Sequence, residues 1–250
     1  MLLSNNKYYI LRFGDFATDG NTKIIYCMFP IILGIEEYIS VNSSYCLEIM
    51  LKSTIIWSLV EFLLHITRTR IIKPMYIYYN DTSYLLPRYI SVCLQGAQEG
   101  GFVTTLGLYF GDRIFITKYF ILLHLLLFTI VFNIYVKKNY VSASKRQINT
   151  RSSILLITSM TLYNIKCLQW YPEHFHRQLS MFLSMIYISS VWTLAVWYFN
   201  FRTVEVYTLN NKLEYYKRPT NYFNTFLILA YDVVFEIGIA YLTFYNLFFI

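Results

Sequence analysis

The sequence predicts an all-α integral membrane bundle of seven transmembrane helices, with the N-terminus inside and the C-terminus outside. Three observations predict this fold: the composition, the length of the apolar segments and the distribution of basic residues. The chain has 250 residues, of which 56% are hydrophobic and 14% charged, and its mean hydropathy is +0.43. A soluble monomer could not cover that much apolar surface, so we expect lipid to surround it.

Seven apolar segments are long enough to cross a bilayer, which takes ~20 residues of helix. The fifth is the weakest, because Lys166 interrupts it. Polar connections at 67–87, 137–152 and 202–221 follow the second, fourth and sixth segments. No long linker or internal repeat divides the chain, so we expect residues 1–250 to form a single domain. The predicted spans are 23–40, 48–66, 88–110, 117–136, 153–171, 179–201 and 222–250.

The basic residues predict the orientation. Of the 21 Lys and Arg residues, 16 lie in the N-terminal segment or around the three polar connections. An excess of Lys and Arg marks the inner side of a membrane protein, so these segments are placed inside and topology explains the net charge of +7. The basic residues occupy separate short loops, so we expect no nucleic-acid partner. The five remaining residues, predicted outside, are Lys52, Arg113, Lys118, Lys166 and Arg177.

The third span combines a carboxylate with a glycine face. Glu99 is predicted near the middle of the membrane, where a charged side chain costs at least ~2.5–3.5 kcal/mol on insertion scales. It is a hydrogen-bonded structural group, a proton-accessible carboxylate or a group that contacts another subunit. Four glycines on one face of this helix let another backbone approach closely, and we expect them to serve helix packing: Gly96, Gly100, Gly107 and Gly111.

A polar stripe runs along the second span. Trp57, Glu61, His65 and Arg68 follow one another at helical spacing, so they share a face. Arg68 is expected at the inner interface, in reach of anionic lipid phosphates, with His65 and Glu61 deeper. The stripe therefore predicts either a lipid-contacting face or a helix end that holds an internal Glu–His pair.

Two further clusters are predicted to be structural. Asp232 and Glu236 are one turn apart in the last span, and we expect them to make polar contacts inside the bundle. His174 and His176 lie in a short outer loop without a nearby Cys or third His, so we expect no metal site there.

The chain resembles subunit III of the cytochrome c oxidase family. The resemblance rests on the seven predicted spans and on four ordered patterns. Arg88-Tyr89 precedes Glu99, as in the family's third helix. The other patterns are Leu168-Gln169 with Tyr171 and Glu173, Phe199-Asn200-Phe201-Arg202, and Asp232-Val233-Val234 in the last helix. The family's WPP segment and GFHGxHV motif have no counterpart, so the chain resembles a highly divergent member.

The resemblance implies a non-catalytic, lipid-binding subunit of a respiratory-chain oxidase in the mitochondrial inner membrane. Such a subunit binds no haem or copper; it holds structural phospholipids in a cleft between its first two helices and the other five. Its partners are the catalytic subunit I, other subunits of the complex and membrane lipids. Glu99 would be the embedded carboxylate, Arg202 would contact a lipid phosphate, and Trp57, Glu61, His65 and Arg68 would line the cleft. The 25 Tyr and 20 Phe residues suit an organelle gene of AT-rich bias.

Two other functions remain open from the residues. A small polytopic transporter or proton- or ion-conducting protein would use the intramembrane carboxylates of Glu61, Glu99, Asp232 and Glu236. A membrane lipid-modifying enzyme would use His65 and Glu61 as an acid–base pair. Whether the chain is itself an enzyme is left open by the sequence.

Overall fold

Seven long helices dominate the described part of the chain. The computed structural model describes residues 6–13, 19–67, 74–136, 143–148, 150–209, 214–219 and 221–249. Each predicted span coincides with a helix, so the helical part of the prediction is confirmed. The helices are α1 Gly20–Val41, α2 Tyr45–Ile66, α3 88–111, α4 Thr117–Val136, α5 Thr150–Trp170, α6 Phe175–Tyr198 and α7 222–249.

Four of these helical segments are long and apolar enough to cross a membrane: Gly20–Val41, Thr117–Val136, Pro172–Tyr198 and Tyr222–Leu247. They expose many large apolar side chains, such as Phe128 on α4 and Leu183 on α6, as a surface in contact with hydrocarbon would. Crossing by all seven helices and the inside–outside orientation stay predictions.

The helix α3 lies in the centre of the bundle. All residues of 104–111 are buried, and Leu106, Tyr109 and Phe110 are at most 1% exposed. Because this part of α3 faces other helices and not lipid, the helix does not need the apolar sequence of a lipid-facing span, and it can carry polar residues and glycines.

The prediction of an all-α fold is incomplete, because the polar segments contain strands. Four strands form one sheet: β1 Asn6–Phe13, β4 Ala143–Ile148, β5 Arg202–Leu209 and β6 Tyr215–Arg218. They pair antiparallel in the order β4-β1-β5-β6. Along β5, buried side chains alternate with half-buried ones from Arg202 to Val206, which is the two-residue period of a strand. Val204 and Val206 form a small apolar core with Ile10 and Ile228.

The sheet ties three separate parts of the chain to one end of the bundle. The strand β1 precedes α1, β4 connects α4 to α5, and β5 follows α6. Since β1 pairs with both β4 and β5, these three segments lie together at what we call the sheet end. They are also the segments in which the basic residues are concentrated.

A two-stranded hairpin completes the connection between α2 and α3. Its strands are β2 Tyr76–Tyr79 and β3 Thr82–Leu85, and Asn80 and Asp81 form the turn with φ of 46° and 59°. Two positive φ values suit a two-residue hairpin turn, in which Asn and Asp are favoured. The Asn21 side chain donates to the Tyr78 carbonyl at 3.0 Å and accepts from the Tyr78 N–H at 2.8 Å, so the hairpin is attached to the start of α1.

Candidate functional site

The glycine face of α3 makes close contacts with two other helices. A Cβ added at Gly96 would lie 2.5 Å from the backbone nitrogen of Ser58 and 2.8 Å from its Cα. A Cβ added at Gly100 would lie 2.5 Å from the Ser53 carbonyl oxygen. One pair of glycines therefore lets α2 approach at backbone distance, which only a residue without a side chain permits.

The second pair of glycines contacts a different helix. A Cβ at Gly107 would lie 3.0 Å from the Met185 sulfur, and one at Gly111 would lie 2.9 Å from the Met181 nitrogen. Both contacts belong to α6. The first two predicted packing residues thus place α3 against α2, and the last two place it against α6 further along the helix.

Glu99 belongs to a polar cluster that joins α1 to α3. The buried ammonium of Lys23 donates to Gln95 Oε1 at 2.7 Å and to Gln98 Oε1 at 2.5 Å. The Gln95 amide in turn donates to Glu99 Oε1. Lys23, predicted as an inner-side basic residue, is only 3% exposed. We call Lys23, Gln95, Gln98 and Glu99 the Glu99 cluster.

Two π-helical segments carry three of the carboxylates in the bundle, Glu99, Asp232 and Glu236. In α3, residues Ala97–Phe102 form a π-helix that contains Glu99. In α7, residues Tyr231–Ile239 form another, which contains Asp232 and Glu236. Such segments are rare and occur frequently at functional sites, so both are candidate functional positions.

The first part of the predicted polar stripe of α2, Trp57 and Glu61, faces protein. Trp57 packs its ring against Tyr241 and Phe244 of α7, with centroid distances of 5.1 and 4.8 Å. Glu61 is completely buried, and His65 is half-buried. Arg68 lies outside the described residues. In contrast to the lipid cleft that the resemblance implies between the first two helices and the rest, α2 lies directly on α3 along Gly96 and Gly100.

Arg202 is buried beside an acidic residue of α7. Its guanidinium forms an ion pair with Asp232, and the two residues are 4% and 3% exposed. The guanidinium carbon also lies 4.8 Å from the centre of the Trp192 ring. Arg202 begins β5 and Asp232 lies in α7, so this pair fixes the sheet to the helical bundle. The guanidinium of Arg202 therefore contacts an acidic side chain and an aromatic ring of this chain, and its contact with a lipid phosphate stays a prediction.

A third charged cluster occupies the end of the bundle opposite the sheet. Arg113 Nη2 lies 3.0 Å from Glu37 Oε1, with both side chains buried. The other Glu37 oxygen accepts the backbone N–H of Cys46 at 2.8 Å. The neighbouring Glu36 accepts hydrogen bonds from the Tyr109 and Tyr119 hydroxyls, at 2.6 and 3.0 Å. These contacts join α1, α2, α3 and α4.

The same end carries a second ion pair. Arg177 Nη2 lies 3.2 Å from Asp112 Oδ2, which links the end of α3 to the start of α6. Burial raises the pKa of the Asp112 carboxyl above its ordinary value, while the positive charges of Arg177 and Arg113 oppose that rise. We call Glu36, Glu37, Asp112, Arg113 and Arg177 the Arg113 cluster.

The remaining predicted positions are the loop before α6 and the polar face of the last helix. Glu173 and His174 are 4.0 Å apart at the surface before α6. Within the described ranges, no group of three or more His, Cys, Asp or Glu side chains could hold a metal ion. Between α5 and α7, Asn164 donates to Thr243 Oγ1 at 3.1 Å and accepts from the Asn246 amide at 3.0 Å, which is the kind of polar contact predicted for the last helix.

Sequence reasoning missed the Arg113 cluster and the burial of Lys23. The sequence did contain a signal for the Arg113 cluster. Glu36 and Glu37 lie inside the first predicted span, and Asp112 and Arg113 follow the third predicted span. Acidic residues that enter a membrane span need partners of opposite charge, but partners 76 residues away cannot be chosen from the sequence alone.

The bundle and its buried charges define a class of protein: a helical membrane protein with several apolar helices and with ion pairs between residues that are far apart in the chain. Comparison with family models, with curated proteins and with solved structures finds no match to this chain.

Proposed function

We propose that this chain is a non-catalytic, lipid-binding subunit of a respiratory-chain cytochrome c oxidase in the mitochondrial inner membrane, where it supports the catalytic subunit. One observation carries the proposal: the deep charged side chains engage groups on other elements. Lys23 of α1 binds Gln95 and Gln98 of α3, Glu37 of α1 binds Arg113, and Arg202 of β5 binds Asp232 of α7. Charges used in this way hold the bundle together, as a supporting subunit requires.

The proposed lipid contact lies on the surface formed by α1 and α2. A groove of about 200 Å³ lies there, beside the π-segment of α3. Its lining is almost entirely apolar and includes Pro30, Met50, Leu51, Thr54 and Ala97. A groove of this composition suits an acyl chain, because hydrocarbon fills it without leaving polar groups unpaired. This site replaces the cleft that the family resemblance implies.

The proposed partner is tested by purifying the tagged chain from its native membranes in mild detergent. The expected result is that haem a and copper copurify in fixed proportion with the chain, as measured by absorbance and by elemental analysis. Recovery of the folded chain without any haem- or copper-containing partner would refute the oxidase assignment.

The lipid site has a separate test with a matched control. Ala97→Phe places a ring in the groove, whereas Thr129→Phe places the same ring on the exposed surface of α4. We expect Ala97→Phe to reduce the phospholipid retained per protein in native mass spectrometry, and Thr129→Phe to leave it unchanged. Equal retention in both variants would show that the groove holds no lipid.

A second candidate function is proton or ion conduction, and the Glu99 cluster favours it. Lys23, Gln95 and Glu99 form a connected set of polar groups, and connected ionisable groups inside a membrane are the elements of proton relays. In proteoliposomes, a flux that Glu99→Gln abolishes would support conduction. A flux equal to that of protein-free vesicles would count against it. The lipid-modifying alternative, with His65 and Glu61 as acid and base, stays a hypothesis.

A further inference from the structure

Three buried side chains of α6 carry polar atoms without a protein partner. Gln178, Ser184 and Thr193 are each at most 2% exposed. In the part of the chain that the structure describes, neither polar atom of the Gln178 amide has a hydrogen-bond partner, and neither does Ser184 Oγ or Thr193 Oγ1. None of these groups belongs to the Glu99 cluster or to the ion pairs described above.

Hydroxyl groups at other positions show how this chain satisfies them in a dry environment. On the exposed surface of α4, Thr129 Oγ1 donates to the Leu125 carbonyl at 2.9 Å. On the exposed surface of α5, Ser159 Oγ donates to the Leu155 carbonyl at 2.8 Å. Ser184 and Thr193 have equivalent carbonyls one turn earlier but do not bond to them. Their hydroxyls are therefore free to bond to something else inside the bundle.

Water is the occupant that fits these atoms. Buried amides and hydroxyls in native proteins are almost always hydrogen-bonded, and internal water satisfies those that no protein group reaches. Gln178 needs both a donor and an acceptor, and each hydroxyl can both donate and accept. Water supplies both roles in a small volume. A charged ligand would leave its charge uncompensated at these three sites, because all of them are neutral.

The three positions lie between the ion pairs at the two ends of the bundle. Gln178 follows Arg177, which pairs with Asp112. Thr193 follows Trp192, whose ring contacts Arg202. From Gln178 to Thr193 the helix rises about 22 Å at 1.5 Å per residue. The buried residue Ser189 lies in the longer gap. Ser184 lies on the side of the helix away from the other three, so the positions do not form a single straight row.

We propose that the interior of the bundle along α6 binds water molecules at Gln178, Ser184 and Thr193, which hydrate the core between the Asp112–Arg177 and Arg202–Asp232 pairs. This inference does not depend on the subunit function, because it rests only on α6 and its surroundings. It makes the bundle a partly hydrated structure, in contrast to the groove beside α1 and α2, whose lining is almost entirely apolar.

Radiolytic labelling tests the proposal, because hydroxyl radicals formed from bound water oxidise the nearest methionines. Met181 and Met185 lie between the three positions and are 1% exposed, and Met75, outside the helices, is 0% exposed. The full chain in lipid nanodiscs is irradiated in ¹⁸O-water, and the labelling rates are measured by mass spectrometry. We expect Met181 and Met185 to be labelled about tenfold faster than Met75, since bound water lies beside them. Rates no faster than that of Met75 would overturn the proposal.

Variants provide an independent measurement. Ser184→Ala and Thr193→Val, separately and with Gln178→Leu, remove the groups that bind water. We expect labelling of Met185 to fall several-fold in the triple variant, whereas Thr129→Val, on the surface of α4, leaves it unchanged. If the triple variant does not fold, the single variants and the wild-type comparison with Met75 decide the question. Unchanged labelling in folded variants would refute water binding.

Discussion

Gly96→Ala is expected to destabilise the bundle by forcing α2 away from α3. The new Cβ would lie 2.5 Å from the Ser58 nitrogen and 2.8 Å from the Ser58 Cα. Carbon atoms pack at about 3.5–4.0 Å, so α2 must move by roughly 1 Å. Both atoms belong to the backbone, so no side-chain rotation relieves the overlap.

The magnitude follows from two opposing effects. Overpacking a close contact costs about 1–3 kcal/mol, and replacing glycine by alanine inside a helix regains up to about 1 kcal/mol. We therefore expect a net loss of about 1–2 kcal/mol in the free energy of unfolding. The assay is reversible unfolding by SDS in mixed micelles, followed by circular dichroism.

Gly34→Ala is the matched control. A Cβ at Gly34 would lie 2.7 Å from the Leu47 Cγ, which belongs to a side chain that can change rotamer, and 3.3 Å from the Leu47 backbone nitrogen. The backbone contact is 0.8 Å longer than the 2.5 Å contact at Gly96, so the same substitution should have a smaller effect at Gly34 than at Gly96. If both variants unfold at the same SDS concentration as wild type, the reasoning about backbone contact at Gly96 is wrong.

Further predictions concern the charged groups. Asp232→Ala should lower the free energy of unfolding by about 3–5 kcal/mol, because it leaves the buried Arg202 charge uncompensated. The double variant Arg202→Met with Asp232→Leu should restore much of that loss. Equal stability of the single and double variants in the SDS assay would contradict this. Glu37→Gln should weaken the contact with Arg113 and destabilise the bundle less than Glu37→Ala, because the amide still accepts a hydrogen bond; the same assay measures the order. Burial raises the pKa of Asp112 in the folded protein above its ordinary value of 3.8. Folding therefore favours the protonated carboxyl, and the stability that it contributes is present at low pH and is lost as the pH rises through the raised pKa. Asp112→Asn should remove this pH dependence from the melting temperature, and a variant with the wild-type pH profile would show that Asp112 does not titrate as described.

Local patterns in the sequence predicted the helices but not the sheet. Apolar segments of spanning length identify helices one by one, because a helix satisfies its backbone within itself. A strand needs a partner, and the partners here are far apart in the chain: Tyr8 pairs with Val206 and with Ile148. The alternation in Arg202–Leu209 was visible in the sequence, but it lies in a polar connection where a loop was the simpler prediction.

The positions of charged residues were harder to predict than the helices that carry them. Lys23 was assigned to the inner surface from its place at the start of a span, yet it points into the bundle and binds Gln95. Which way a residue near a helix end points depends on the neighbouring helix, and no pattern in a single sequence shows that neighbour. Glu99, by contrast, was identified because a carboxylate beside a glycine face is unusual in any span.

The polar stripe of α2 and the glycine face of α3 form one interface. Ser53, Trp57 and Ser58 are the residues that a Cβ at Gly96 or Gly100 would strike, and they continue along α2 to the buried Glu61. Small polar residues on one helix and glycines on the other permit the approach of two backbones. The stripe from Trp57 to Glu61 is therefore used inside the chain. Any partner that binds in the membrane would have to contact another surface, such as the exposed apolar faces of α1, α4 and α6.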